Sequence, residues 1–129
     1  MPDTLEDSPI DPKSLALRIA RACAAKKGQK LAVLDMRKVV DFCDYFVIAS
    51  ATSLRQVNAI AEAIQDDLTK VRIKPLSQVA ANDESGWVVL DYSSVVAHIF
   101  YGPVREFYSL EHLWSDARKV RIPRSARGV

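Results

Sequence analysis

Trp87-Val88-Val89-Leu90-Asp91-Tyr92-Ser93-Ser94-Val95-Val96-Ala97-His98-Ile99-Phe100 reads as a β-hairpin with too few polar positions. Two runs rich in strand formers meet at a Ser-Ser turn. A hairpin with one solvated face alternates apolar with charged residues, and this one does not. With Ser93 and Ser94 as the turn, Val88, Leu90, Tyr92, Val95, Ala97 and Ile99 share one face, while Trp87, Val89, Asp91, Val96, His98 and Phe100 share the other. Both faces call for burial. Either helices cover both, or one stays open as a docking surface on which Asp91 and His98 are the only ionisable groups.

The rest of the chain supplies helices for such a sheet. Asp11 caps a helix with Pro12 at its first position, and Leu15, Ile19, Ala22 and Cys23 mark an apolar stripe that ends near Gly28. Lys30–Asp35 reads as a short strand and Tyr45–Ala49 as a second. Ser53 with Gln56 forms a capping box for a helix carrying Leu54, Val57, Ile60, Ala61, Ile64 and Leu68 at helical spacing. Pro75 interrupts Val71–Val79, so a short edge strand is expected there. After the hairpin, Gly102-Pro103 turns the chain, and Ser109 caps a last helix from Leu110 to about Ala117, with Trp114 packing it onto the sheet. The expected fold class is α/β, a compact mixed β-sheet flanked by helices.

At 129 residues, 49% apolar and 26% charged, the chain has the size and composition of one soluble domain with a core that needs no disulfide or metal. No apolar run approaches the roughly 20 residues of a membrane span. The start, Met1 to Asp7, is acidic and lacks the pattern of a signal peptide, so a cytoplasmic location is expected. Cys23 and Cys43, without CxxC spacing, read as reduced structural thiols. The net charge of +2 is uneven: residues 1–11 hold four acids and no base, residues 118–129 five bases and no acid. The expected organisation is an acidic flexible tail (1–11), one domain (12–117) and a basic flexible tail (118–129) that either is solvated or lies along RNA phosphates.

Residues for catalysis are scarce. His98 and His112 stand in no HxxxH, HExxH or His-Cys cluster, so no metal is expected. The four glycines, at 28, 86, 102 and 128, are too scattered for a Walker loop or a GxGxxG turn, and no cofactor is expected either. Ser50, Thr52 and Ser53 are explained by helix capping. Asp35, Asp41 and Asp44 lie close in sequence, but turn and capping roles suit them better than a cation site.

Asp44-Tyr45-Phe46-Val47-Ile48-Ala49-Ser50, followed by Ser53, Arg55, Val57 and Ala59-Ile60-Ala61, resembles the first signature of the ribosomal silencing factor family, also called RsfS or Iojap. Trp87-Val88-Val89-Leu90-Asp91-Tyr92, then Val95-Val96, His98-Ile99-Phe100, Arg105, Tyr108, Leu110-Glu111 and Leu113-Trp114 resemble the second. The resemblance covers roughly residues 14 to 117. It implies a nucleotidyltransferase-like fold without catalytic residues and a protein that is not an enzyme. It further implies binding to the large ribosomal subunit through its protein L-fourteen, which blocks joining of the small subunit and represses translation under nutrient limitation.

Consistent with that, Ala49-Ser50-Ala51-Thr52-Ser53 has no Gly-Ser turn, and no Asp-x-Asp strand follows it to hold magnesium. Two features depart from the family pattern. Its hairpin turn usually reads Asp-Tyr-Gly-Asp, where Ser93 and Ser94 stand here, so a longer turn or another turn type is expected; the loop Ala81–Gly86 also differs.

The expected partner-binding residues are Trp87, Val89, Asp91, Tyr92, His98, Phe100 and Arg105. For Trp87 and Phe100, core packing and partner contact stay equally open. Asp91 and Tyr92, near the turn, are expected at the partner, where truncating them would not hollow the core. Two other classes compete: a homodimeric adaptor in large-subunit assembly that uses the same hairpin, and a nucleotidyltransferase-like enzyme, for which the chain offers no site.

Overall fold

A computed structural model describes residues 10–79, 86–102 and 117–123. Local chemistry starts two helices among the described residues. α1 (Pro12–Ala25) starts where the Asp11 carboxylate accepts the Ser14 amide at 2.9 Å. α2 (Leu54–Thr69) starts where Ser53 Oγ accepts the Gln56 amide at 3.1 Å. The reciprocal half of that capping box takes another route: Gln56 Oε1 accepts from the Thr52 amide and hydroxyl, while Nε2 donates to the carbonyls of Lys26 and Lys27. One side chain thereby ties the start of α2 to the end of α1.

Both helices end the same way. The Gly28 amide reaches back to the Cys23 carbonyl and the Lys27 amide to Ala24, with Lys27 at φ 63°. After α2, Ile73 reaches Leu68 and Arg72 reaches Thr69, with Arg72 at φ 64°. These are Schellman closures with a basic residue where glycine is favoured. Gly28 itself has no room for a side chain, since a Cβ would stand 2.9 Å from the Cys23 carbonyl oxygen. Lys27→Gly is therefore expected to raise the unfolding free energy by about 0.5–1 kcal/mol by relieving the left-handed strain. A urea midpoint that stays put or falls would mean that the Lys27 side chain makes an offsetting contact.

The strands are β1 (Gln29–Asp35), β2 (Tyr45–Ala51), β3 (Ser77–Val79), β4 (Trp87–Asp91), β5 (Val95–Tyr101) and β6 (Arg118–Val120). They form one mixed sheet in the order β3-β4-β5-β2-β1-β6, in which only β2 and β5 run parallel. β2, at the middle, is buried at all seven positions. The expected mixed α/β sheet is present, with β3 confined to the last three residues of Val71–Val79.

Helices α1 and α2 both lie on one face, over Val88, Leu90, Tyr92, Val95, Ala97 and Ile99. Arg18 of α1 and Asp67 of α2 join them by a bidentate pair at 2.7 and 3.2 Å. The other face carries a second cluster of Leu34, Phe46, Ile48, Val96 and Phe100. Among the described residues it is covered by the β1–β2 connection, through Met36, Val39, Val40 and Cys43, and by no helix. The hairpin's division into two faces thus follows the alternation read from the sequence. The expected last helix, with Trp114, lies outside the described residues.

Two expectations are corrected. The Ser-Ser turn is not lengthened: Tyr92 donates to the Val95 carbonyl across two residues, and Ser93 takes the positive φ, 74°, that serine is expected to avoid. The Asp91 carboxylate, 2.8 Å from the Ser93 amide, holds that conformation. The basic tail does not begin at residue 118. Arg118–Val120 pairs antiparallel with β1, Val120 packs on the helix-side cluster, and Ile122 is buried in it. Arg118-Lys119-Val120-Arg121-Ile122 alternates charged with apolar residues at its end, a strand signal that the charge count obscured.

Candidate functional site

The candidate surface is the face at β4 that, among the described residues, no helix covers. Alternation along that strand places Trp87, Val89 and Asp91 on it, successive members about 7 Å apart, and all three are half-buried. Beneath them lies an aromatic floor. The Trp87 and Phe100 rings stack at 5.0 Å, and His98 meets Phe46 edge-on at 4.6 Å. Phe42, in the β1–β2 connection, stands 6.3 Å from Phe46 and is 62% exposed. It was not among the residues expected at the interface. Its signal in the sequence is an aromatic residue in a loop, between Asp41 and Asp44.

The expected site residues divide. Trp87, Val89 and Asp91 are accessible together, whereas His98 and Phe100 are buried under them as support. Tyr92 falls on the opposite, helix-side face, only 6% exposed, with a hydroxyl that has no hydrogen-bond partner. The expectation that it projects from the tip clear of the core is therefore corrected. The turn does not project, because the Ser94 carbonyl accepts the amides of Asp44 and Tyr45 and stitches it to the start of β2. Burial pushes the Tyr92 phenol up to about 12. Arg105 lies outside the described residues.

His98 is fixed from one side. Trp87 Nε1 donates to its Nδ1 at 3.3 Å, so the neutral ring keeps its proton on Nε2, which is buried and has no hydrogen-bond partner. Burial lowers its pKa to about 4, and at neutral pH the floor carries no charge. Asp91 is then the only charged group among the described β4 and β5 side chains of this face. An accessible indole, an aliphatic side chain and one carboxylate suit a protein partner with an apolar patch and a basic rim.

Other groups are engaged in structure. Asp35 holds Arg37 by two bonds at 2.9 and 2.7 Å, which keeps its carboxyl near 2, and the Arg37 guanidinium lies 5.5 Å from the Tyr45 ring centre. That is the turn role expected of Asp35. Cys23 and Cys43 are free and buried, with thiols raised to about 12 and about 11 mainly by desolvation. Among the described residues no three His, Cys, Asp or Glu side chains gather as metal ligands, and no helix is long and apolar enough to cross a membrane.

The family model "Ribosomal silencing factor during starvation" matches residues 9–128. The ribosomal silencing factor RsfS of Bacillus subtilis is 36% identical over 84% of this chain and 91% of its own length. The chloroplastic protein Iojap of Zea mays is 32% identical over 95% of this chain, which spans 53% of that longer relative. A mouse relative, "Mitochondrial assembly of ribosomal large subunit protein 1", is 29% identical over 70% of this chain and 40% of its own. A crystal structure of a Chromobacterium violaceum protein superposes with a TM-score of 0.76 at 26% identity, covering 88% of this chain and 92% of that one. A model match across nearly the whole chain, a relative above 30% identity and the shared sheet place this chain in the ribosomal silencing factor family.

Proposed function

We propose that this chain is a non-enzymatic, cytoplasmic regulator that docks on the large ribosomal subunit through protein L-fourteen, keeps the small subunit from joining, and so represses translation when nutrients are limiting. The observation that carries this reading is the accessible Trp87, Val89 and Asp91 row over a buried aromatic floor on the face that α1 and α2 leave uncovered. Relatives named as silencing factors, and a mouse relative named for large-subunit assembly, supply the class of partner. Trp87 and Val89 act as apolar anchors, and Asp91 meets a basic residue of the partner while holding its own turn. Contacts of the basic C-terminal segment with ribosomal RNA phosphates add affinity without choosing the site.

The test is retention of purified protein on immobilised large subunits and on isolated L-fourteen. Trp87→Ala is expected to weaken both about 30-fold, the size of an interface hot spot, because a half-buried indole contributes more to a partner than to the core. Asp91→Asn keeps an acceptor for the Ser93 amide and removes the charge, so it should weaken binding without loosening the turn. Wild-type retention of both variants would refute docking through this face. If Trp87→Ala instead abolished self-association of a protein that never sediments with large subunits, the homodimeric adaptor would replace the present reading.

A further inference from the structure

The fold gathers the basic side chains in a way that the sequence totals hide. Residues 12–34 contain six bases and no acid, and residues 117–123 contain three more and no acid. Antiparallel pairing of β6 with β1 brings these two stretches side by side along one edge of the sheet. At the Asp35 end the charge is mixed, because Asp11, Asp35 and Asp44 approach and Arg37 is paired. Toward Gly28 it is not. A groove of about 440 Å³ there is lined by Gly28, Leu31, Lys119, Arg121 and their neighbours, with no acidic side chain among them. Lys26 and Lys27 in the α1–β1 turn, and Lys30 at the start of β1, are exposed beside it.

Alternation fixes which way the β6 cations project. Val120 and Ile122 pack toward the helices, so Lys119 and Arg121 stand on the opposite face, both exposed and about 7 Å apart. That is the face that carries Trp87, Val89 and Asp91. Three strands separate β6 from β4, which puts the cationic row about 19 Å from the apolar row. One face thus offers an apolar, acid-tipped contact and, along its far edge, the exposed cations Lys119 and Arg121. A partner made of protein flanked by nucleic acid fits that pairing. A lipid surface fits less well, because neither of the two exposed large apolar side chains among the described residues, Phe42 and Leu76, lines the β1–β6 groove.

We propose that the β1–β6 edge, through Lys119 and Arg121 of the folded strand and the lysines of the α1–β1 turn, binds the phosphodiester backbone of RNA. This rests on the ribosomal reading above and moves the RNA contact from a tail to a built edge. Charges on an edge strand also discourage pairing with other chains, and that role alone predicts no affinity for RNA.

The probe is a fluorescein-labelled RNA duplex of two helical turns, titrated with the full chain across a potassium chloride series. Lys119→Ala with Arg121→Ala should weaken binding about tenfold at low salt and reduce the slope of log affinity against log salt by about 2, one for each phosphate that is no longer neutralised. Lys70→Ala with Lys74→Ala, exposed bases away from this edge, should leave the slope unchanged. Equal slopes for wild type and the β6 variant, or equal losses in both variants, would overturn the proposal. So would binding to phosphatidylglycerol vesicles, but not to RNA, through the same side chains. Affinity for isolated L-fourteen separates the two readings. The β6 variant should keep it and Trp87→Ala should lose it, so failure of either leaves the other measurable.

Discussion

Tyr92→Ala is expected to lower the unfolding free energy by about 3–5 kcal/mol, the range for removing a large aromatic ring from a packed core. The ring is 6% exposed and packs in the cluster formed by α1, α2 and the sheet. Deleting it leaves a cavity that β-strand backbone on both sides cannot close, since the turn is pinned to β2 by the Ser94 carbonyl. Tyr92→Phe should act in the opposite direction. Its hydroxyl is buried without a hydrogen-bond partner, and removing an unsatisfied polar group is expected to add about 1 kcal/mol. Urea unfolding of the three proteins checks both signs. A Tyr92→Ala variant with the wild-type midpoint would move the ring out of the core, and a destabilised Tyr92→Phe would show that the hydroxyl is bonded.

The same pair decides what a loss of ribosome binding at this position means. Under the proposed docking mode Tyr92→Phe should bind isolated L-fourteen like wild type, because the ring faces the helices and not the partner. Loss of binding in Tyr92→Ala would then follow from unfolding. Trp87→Ala differs, because its ring is half-buried and lies on the other face.

The contrast between Tyr92 and Trp87 shows what the sequence discloses. Period-two alternation assigned every hairpin residue to its face, because a strand leaves no other choice once the turn is placed. The helix starts were equally plain, since Asp11 and Ser53 act within three residues of themselves. Which face the helices cover is a tertiary fact, and alternation is silent about it. Tyr92 looked accessible by its nearness to a turn, yet Asp44 and Tyr45 hold that turn from about 50 residues earlier in the chain. Strand β6 escaped for a different reason. A three-residue edge strand has little pattern of its own, and its partner is about 85 residues upstream. Phe42 is visible only once the second cluster is assembled, because its role depends on Phe46 beneath it.

Acidification should destabilise the fold through His98, between about pH 6.5 and about pH 4. Its pKa in the folded chain is lowered to about 4 by burial, against 6.5 for an unperturbed histidine. The neutral ring accepts from Trp87 Nε1 and sits among Phe46, Trp87 and Phe100, where burial penalises an imidazolium. Above about pH 6.5 both folded and unfolded chains carry it neutral, and it contributes no pH dependence. Between about 6.5 and about 4 only the unfolded chain takes up the proton, so stability falls as the pH falls. At 1.36 kcal/mol per pH unit that interval corresponds to about 3 kcal/mol, and below about pH 4 the loss levels off. Carboxylates add their own slope at the acid end, Asp35 near 2 among them. The measurement is therefore the difference between wild type and His98→Phe, which keeps a ring in the cluster and removes the titrating nitrogens. Urea unfolding from pH 7 to pH 4 should show the two stability curves separating, with the variant gaining on wild type throughout. Parallel curves would mean that His98 protonates in the folded chain as readily as in the unfolded one, and that the floor beneath Trp87 is wet.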